Sequence, residues 1–145
     1  GFYAWRAWVN ANPDFPVGRL LKRYCPNLTD AEAAAYDAPF PDATYKSGAR
    51  RFPNLVCDSP DADGAATSRE ALQWWRQEWR GQSFMAIGMQ DGVITPQAMQ
   101  WLQKQIRGCP PAMTIADAGH FVQEHGEVVA RAALAQFASA QAPTS

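Results

Sequence analysis

An acid and a histidine in the second half of the sequence could together carry out proton transfer. Asp91 follows an apolar run at residues 84–89, and His120 follows a second apolar run at residues 112–116. A carboxylate beside an imidazole fixes its tautomer and stabilises its charged form, so the histidine becomes a better general base. An acid and then a histidine, each on a loop after a buried strand, is typical of hydrolases. No candidate nucleophile precedes this pair, so we expect the sequence to be the C-terminal portion of an enzyme.

Each residue of this pair also has a structural interpretation. Asp91 precedes a glycine, and Asp-Gly favours a turn whatever its function. His120 follows Gly119 near a helix start, where a histidine can be purely structural. Function is favoured for the pair because the carboxyl ends of neighbouring parallel strands meet at one rim of a sheet, where open α/β sheets bind their ligands.

The elements that would position the pair alternate between helix and strand. Ser68 is predicted to cap a helix over residues 69–80, and the two apolar runs, too short for helices, are predicted to be buried strands. Pro96 begins a predicted helix that ends at Gly108, and a further helix starts from Phe121. This alternation predicts a parallel sheet with helices packed on it.

The first half of the chain has a different character. Residues 1–57 are predicted to form irregular helices punctuated by prolines, with no strand. Thr29 and Glu32 have the spacing of a capping box, which predicts a helix that runs through Tyr36 and ends before the next proline. Residues 58–68 are polar and carry no period, so they are predicted to be a loop.

The composition argues against several classes of function. The net charge of −1 gives no broad field that would favour nucleic acid or an anionic membrane, and no run of about 18 apolar residues exists to span a bilayer. His120, Glu124 and His125 match no zinc motif, and the chain has no glycine-rich phosphate loop, so neither a metal nor a cofactor is predicted. The three cysteines are odd in number and far apart, which indicates reduced thiols in a cytoplasmic protein.

Two pairs among the six tryptophans have different predicted roles. Trp75 and Trp79 lie on one helical stripe with Leu72 and are predicted to belong to the core. Trp5 and Trp8 stand near the start of the irregular region, where no long stripe accounts for them. An indole N–H donates a hydrogen bond and accepts none, so in a dry pocket it could hold an anion, with simple packing as the alternative.

Five segments of the sequence resemble the haloalkane dehalogenases, and in particular the type that degrades dichloroethane. They are GFYAW at 1–5, APFPD at 38–42, RFP at 51–53, FMAIGM at 84–89 and IADAGHFVQE at 115–124. The resemblance runs from Gly1 to about Phe137. The five segments together are specific, whereas the Asp-Ala-Gly-His-Phe run alone also suits epoxide hydrolases and other α/β-hydrolases.

The resemblance implies the C-terminal part of an α/β-hydrolase fold. Residues 1–57 would be most of a helical cap, residues 58–138 the last two parallel strands with their flanking helices, and residues 139–145 a frayed tail. In this family an aspartate attacks the halogenated carbon and releases halide, and a histidine then activates the water that hydrolyses the alkyl-enzyme ester. The implied partners are a haloalkane, halide, water and the preceding half of the same fold, without a cofactor. We expect the chain alone to be inactive because that preceding half holds the nucleophile.

The resemblance also assigns roles to residues. His120 matches the base that activates water, Asp91 the acid that orients it, and Trp5 the cap tryptophan whose N–H holds the departing halide. The loop after the acid, GVIT at 92–95, is smaller and more β-branched than the leucine-rich loop of the family, which bears on substrate preference. The substrate cavity would be lined by Phe2, Phe52, Pro53, Val56, Val93 and Ile94.

Two further interpretations stay open at the level of sequence. An epoxide hydrolase-like enzyme would share the acid and the histidine and would offer tyrosines of the cap to the epoxide oxygen, and four tyrosines are present. A non-enzymatic helical module would instead use its exposed aromatic residues as a protein-binding surface. The position of Trp5 within the first segment favours halide chemistry over both.

Overall fold

A computed structural model describes residues 1–139 of the chain. These residues form two compact units that divide between Arg69 and Glu70. Within this described part, no helix is long and apolar enough to cross a lipid bilayer. The assignment of residues 1–57 to a cap and of residues 58–138 to a hydrolase core stays a prediction.

The first unit consists of short helices around a small apolar core, as its proline-punctuated sequence predicts. Val9, Phe15 and Val17 are buried together at the centre of this unit. The elements are α1 (Phe2–Ala11), α2 (Val17–Tyr24), α3 (Asp30–Asp37), α4 (Ser47–Arg51) and two 3-10 helices at Ala43–Lys46 and Phe52–Leu55.

Helix α3 begins with the capping box that its sequence predicts. The Thr29 hydroxyl accepts a hydrogen bond from the Glu32 N–H at 3.2 Å, and the Glu32 carboxylate accepts one from the Thr29 N–H at 2.8 Å. The helix ends at Asp37, before Pro39, as expected. Helix α2 packs on it closely enough for the N–H of Gly18 to donate to Asp37 Oδ1 at 2.8 Å.

The second unit contains two parallel strands, which confirms the predicted sheet. Strand β1 (Ala86–Gly88) pairs in parallel with strand β2 (Met113–Ile115). Both strands are shorter than the apolar runs that predicted them, since each run extends beyond its strand at both ends. The helices that follow the strands are α6 (Pro96–Gln105) and α7 (Gly126–Ser139).

The helix predicted over residues 69–80 is wrong at both ends. Helix α5 is Ala65–Gln77, so the last four residues of the predicted loop are helical. Ser68 does not cap this helix, since it lies in the first turn and its N–H donates to the carbonyl of Gly64 at 2.9 Å. The sequence analysis missed this start because the two alanines that begin the helix favour it without contributing an apolar period.

Trp74 and Trp75, in the last turn of α5, pack on Trp79, which lies two residues beyond the end of the helix and therefore not on the helical stripe that the sequence predicts. The Trp79 ring lies 5.0 Å from that of Trp75 and 5.5 Å from that of Trp74, measured between centroids. The Trp79 indole N–H donates to Ser83 Oγ at 2.8 Å. Trp75 and Trp79 are half-buried in this arrangement, so the prediction that they belong to a core is met only in part.

Helix α6 begins at Pro96, as predicted, and Thr95 caps it by accepting a hydrogen bond from the Ala98 N–H at 3.3 Å. The helix ends at Gln105, earlier than the predicted stop at Gly108. Gly108 instead lies in the turn beyond the helix with a φ of +71°, in the left-handed region that favours glycine.

The helix predicted from Phe121 onward begins as a 3-10 helix. Val122–His125 form that 3-10 helix, and α7 starts only at Gly126. The glycine therefore stands at a helix start and avoids the cost of about 1 kcal/mol that it would have in a helix interior. Of the predicted frayed tail, Ser139 is helical, and residues 140–145 lie outside the described part.

Candidate active site

The loop after β1 fixes the carboxylate of Asp91. One of its oxygens, Oδ1, accepts hydrogen bonds from the N–H groups of Val93 at 2.7 Å and Ile94 at 3.0 Å. This is the local turn that an aspartate before glycine favours. Two amide donors on one oxygen leave the other oxygen, Oδ2, for a further partner.

That partner is His120, in the loop after β2. Nδ1 of the imidazole lies 3.0 Å from Asp91 Oδ2. An ionised carboxylate can only accept, so Nδ1 carries the proton and Nε2 is left as the basic nitrogen. The predicted meeting of the two residues at one rim of the sheet is therefore present within the second unit. Nε2 has no hydrogen-bond partner among residues 1–139.

The surroundings of Asp91 keep it ionised. Burial by itself would raise the pKa of this carboxyl, whose side chain is only 11% exposed. The hydrogen bonds from His120, Val93 and Ile94, together with the charge of the imidazolium, outweigh burial and hold the pKa of Asp91 below its ordinary value. A carboxylate in this state can stabilise the positive charge that forms when Nε2 takes a proton.

A cavity of about 210 Å³ lies beside the pair. Ile94, which the sequence places in a substrate cavity, belongs to its wall, whereas Val93 does not and is 52% exposed. The sequence analysis did not identify Met99 and Val122 as cavity residues. Each is an apolar residue that follows Asp91 or His120 closely in the chain, and this position could have identified them. The wall consists of Ala86, Ile87, Gly88, Asp91, Ile94, Met99, His120 and Val122.

Trp5 and Phe2 lie on α1 in the first unit. Trp5 is half-buried, stacks on Trp8 at 5.5 Å between ring centroids and packs against the core of that unit. Its indole N–H has no hydrogen-bond partner among the described residues, so this donor is available to a ligand. Phe2 is half-buried, with its ring 6.0 Å from that of Tyr3.

The three remaining candidates for the substrate cavity lie at the second 3-10 helix of the first unit. Phe52 is 73% exposed and Val56 is 45% exposed, while Pro53 is buried. The two exposed side chains give this unit an apolar surface. Their contact with a substrate stays a prediction.

No metal centre accompanies the pair within the described residues. Across residues 1–139, no group of three or more His, Cys, Asp or Glu side chains is arranged to hold a metal ion. Glu124 and His125 are therefore not joined with His120 in a ligand set. Proton transfer between a carboxylate-bound imidazole and water is the chemistry that these side chains themselves support.

Comparison with known proteins identifies relatives over most of the chain, although no protein-family model matches it. Haloalkane dehalogenase 1 of Mycobacterium tuberculosis is 42% identical over 130 residues, and the haloalkane dehalogenase of Psychrobacter cryohalolentis is 37% identical over 135 residues. These alignments cover 85% and 90% of this chain and 41% and 44% of the two relatives. The chain therefore spans less than half the length of the relatives it matches.

Two solved structures resemble the chain over nearly its whole length. The tetrameric haloalkane dehalogenase DpaA from Paraglaciecola agarilytica NO2 has a TM-score of 0.86 at 42% identity, covering 92% of this chain and 45% of that one. The haloalkane dehalogenase DatA from Agrobacterium tumefaciens C58 has a TM-score of 0.68 at 19% identity, covering 97% of this chain and 52% of that one. The second likeness is one of fold alone.

Proposed function

Because the chain is homologous to the haloalkane dehalogenases, we propose that it forms part of a hydrolase acting on carbon–halogen bonds. Its fold is that of the C-terminal part of an α/β-hydrolase, as predicted. The reaction we propose converts a haloalkane and water into an alcohol, halide and a proton. The observation that carries this proposal is the contact between His120 Nδ1 and Asp91 Oδ2 at 3.0 Å.

The pair acts in the second of two steps. In the first step, an aspartate supplied by the preceding half of the fold attacks the halogenated carbon, and the bond to halogen breaks as the ester bond forms. In the second step, Nε2 of His120 takes a proton from water as the water oxygen attacks the ester carbonyl. The tetrahedral intermediate collapses by breaking the bond between the carbonyl carbon and the alkyl oxygen, that oxygen takes a proton and leaves as the alcohol, and the aspartate is regenerated. Asp91 holds the ring in the required tautomer and stabilises the imidazolium until the proton is released.

The leaving halide needs a donor of its own. Chloride leaves poorly unless its developing charge is stabilised in a water-poor site. We assign this role to Trp5, whose indole N–H is unpaired among the described residues and whose ring is held by packing on Trp8. A donor fixed in this way loses little freedom when the anion binds.

The substrate would contact apolar side chains. Ile94, Met99 and Val122 supply an apolar wall next to the imidazole, which suits a molecule without polar handles. Phe2, Phe52, Pro53, Val56 and Val93 are proposed as further contacts. The isolated chain should bind halide or substrate weakly and should not turn over, because the covalent step needs a nucleophile from the preceding half.

The location of the enzyme is proposed as cytoplasmic. Within residues 1–139, none of Cys25, Cys57 and Cys109 forms a disulfide. Proteins in oxidising compartments usually join their cysteines in disulfides, so cysteines outside disulfides favour a reducing compartment.

The decisive experiment is His120→Gln in the protein expressed from the complete open reading frame that encodes this chain, with a bromoalkane as substrate. We expect one equivalent of bromide per enzyme followed by arrest, because the ester forms but no base activates water. Intact-protein mass spectrometry should show the mass of the trapped alkyl group. His125→Gln is the matched control, since His125 lies five residues further on, in the 3-10 helix, and outside the proposed machinery.

Two results would contradict the proposal in different ways. Steady turnover by His120→Gln at the wild-type rate would show that this imidazole is not the base. Absence of bromide release from the folded wild-type protein would remove the dehalogenase function itself. In that case, the same preparation can be tested with an epoxide, the substrate of the alternative enzyme.

A further inference from the structure

The loop that carries the acid also holds the loop that carries the histidine. Gln90 directly precedes Asp91. Its backbone N–H donates to the carbonyl of Ala118 at 2.9 Å, and its side-chain amide donates to the carbonyl of Ala116 at 3.1 Å. Gln90 thus binds the second loop through two carbonyls, those of Ala118 and Ala116, which lie two and four positions before His120.

We infer that Gln90 is a positioning residue that sets the separation between Asp91 and His120. The acid is already fixed on its own loop, since its Oδ1 accepts from two amides of that loop. The distance from Oδ2 to the imidazole therefore depends on where the second loop lies. The catalytic consequence of this inference rests on the proposed function.

Other contacts between the two loops do not replace those of Gln90. The N–H of Met89 donates to the carbonyl of Ile115 at 3.0 Å, but this bond continues the strand ladder and stops five residues short of the histidine. The bonds from Gln90 reach past the strand end into the turn itself. Apart from His120 itself, the side-chain donor that links the two loops among the described residues is the Gln90 amide.

The side-chain bond can be removed without removing the backbone bond. Gln90 is exposed, so its amide contributes little packing and water can satisfy the Ala116 carbonyl in its absence. Loss of the side-chain donor should therefore loosen the turn while the fold persists. The expected result is a base that spends less time at hydrogen-bond distance from its acid.

The kinetic test uses Gln90→Met, which keeps the length of the side chain and removes the donor, in the complete gene product. In a single turnover with a bromoalkane, we expect ester hydrolysis to slow by about three- to tenfold, the range that loss of one such hydrogen bond corresponds to. Bromide release should be unchanged, because alkylation precedes the step that needs the histidine. Gln90→Lys, which restores an N–H donor on a flexible side chain, should recover most of the rate.

The matched control is Gln97→Met, a substitution of an exposed glutamine on α6 that makes no link to the second loop. It should leave both steps at wild-type rates. A merely structural role for Gln90 would slow bromide release and ester hydrolysis together and would lower the active fraction. Equal effects on both steps, or no effect of Gln90→Met on either, would overturn the inference.

A second readout separates this inference from the proposed function. The proton on Nδ1 of His120, held between nitrogen and carboxylate, should give a downfield proton NMR signal in the wild-type protein. In Gln90→Met, this signal should exchange with water several-fold faster, and in Gln97→Met it should not change. If the wild-type protein releases no bromide, the dehalogenase function fails, and the NMR result alone still decides whether Gln90 positions the histidine.

Discussion

Replacing Gly88 by alanine should weaken the acid–histidine pair without altering either residue. Gly88 ends β1, and a Cβ built on it would lie 2.6 Å from the carbonyl oxygen of Gly119 and 2.7 Å from that of Ala118. Both obstacles are backbone atoms, so no change of rotamer relieves the clash. Ala118 is fully buried, so the second loop cannot move away from the new methyl group without disturbing the residues packed around Ala118.

The size of the effect follows from these distances. Ordinary contact begins at 3.4 Å, so the Gly119 carbonyl at 2.6 Å must retreat by about 0.8 Å. Such overpacking costs about 1–3 kcal/mol of folding free energy. A misplacement of this size next to His120 should slow ester hydrolysis by up to about a hundredfold, since about 1 Å of misplacement can cost that much.

The assay combines stability and chemistry on the complete gene product. Urea denaturation should show the loss of unfolding free energy, and single-turnover ester hydrolysis should show the loss of rate. Gly126→Ala is the control, because its Cβ would meet nothing within 4 Å. It should keep the wild-type rate and be as stable or slightly more stable. Wild-type stability together with a wild-type hydrolysis rate in Gly88→Ala would refute the close approach of the two loops.

Two further predictions concern stability. Gly18→Ala would place a Cβ 2.0 Å from the carbonyl oxygen of Ala33, so urea titration should show a loss of about 3 kcal/mol or more in the free energy of unfolding. The control Gly48→Ala, whose Cβ would meet nothing within 4 Å, should show no loss. Equal stabilities of the two variants would show that α2 and α3 are not packed in this way. The pKa of Asp91 is lowered from 3.8, so its ionised form stabilises the fold above that pH and the stabilisation disappears as the pH falls through the folded-state pKa. The difference in Tm between the wild-type protein and Asp91→Asn should therefore be largest near neutral pH and shrink below pH 3.8, whereas a difference independent of pH would contradict this origin.

The pairing of the acid with the histidine could be predicted from sequence because it follows from the geometry of sheets. Two apolar runs separated by a helical pattern predict neighbouring parallel strands. Residues just after such strands emerge at one rim, so Asp91 and His120 were expected to meet, and their side chains are 3.0 Å apart. The capping box of Thr29 and Glu32 was also predictable, since its two residues lie three positions apart in one local segment.

The features that sequence did not predict depend on close approach between segments or on backbone conformation without a period. The sequence does not show that two backbone carbonyls lie close to Gly88. It also does not show that Gln90 donates a hydrogen bond to the other loop. The start of α5 at Ala65 was missed because alanine carries no apolar pattern. The 3-10 helix at Val122–His125 could not be predicted, because its four residues include one apolar side chain and carry no period that separates a 3-10 helix from the α-helix that follows.

The contacts that orient His120 come from one short stretch of chain. Gly88 makes space for the second loop, Gln90 binds it at two carbonyls, and Asp91 binds the imidazole itself. All three lie within the four residues that end β1 and begin its loop. A stretch this local can orient the base through the pairing of β1 with β2. The proposed halide donor Trp5 belongs to that first unit, so orientation of the base and stabilisation of the leaving group rest on separate parts of the sequence. Substitutions near Trp5 can therefore change which halide or alkane is preferred while the hydrolysis of the ester stays intact.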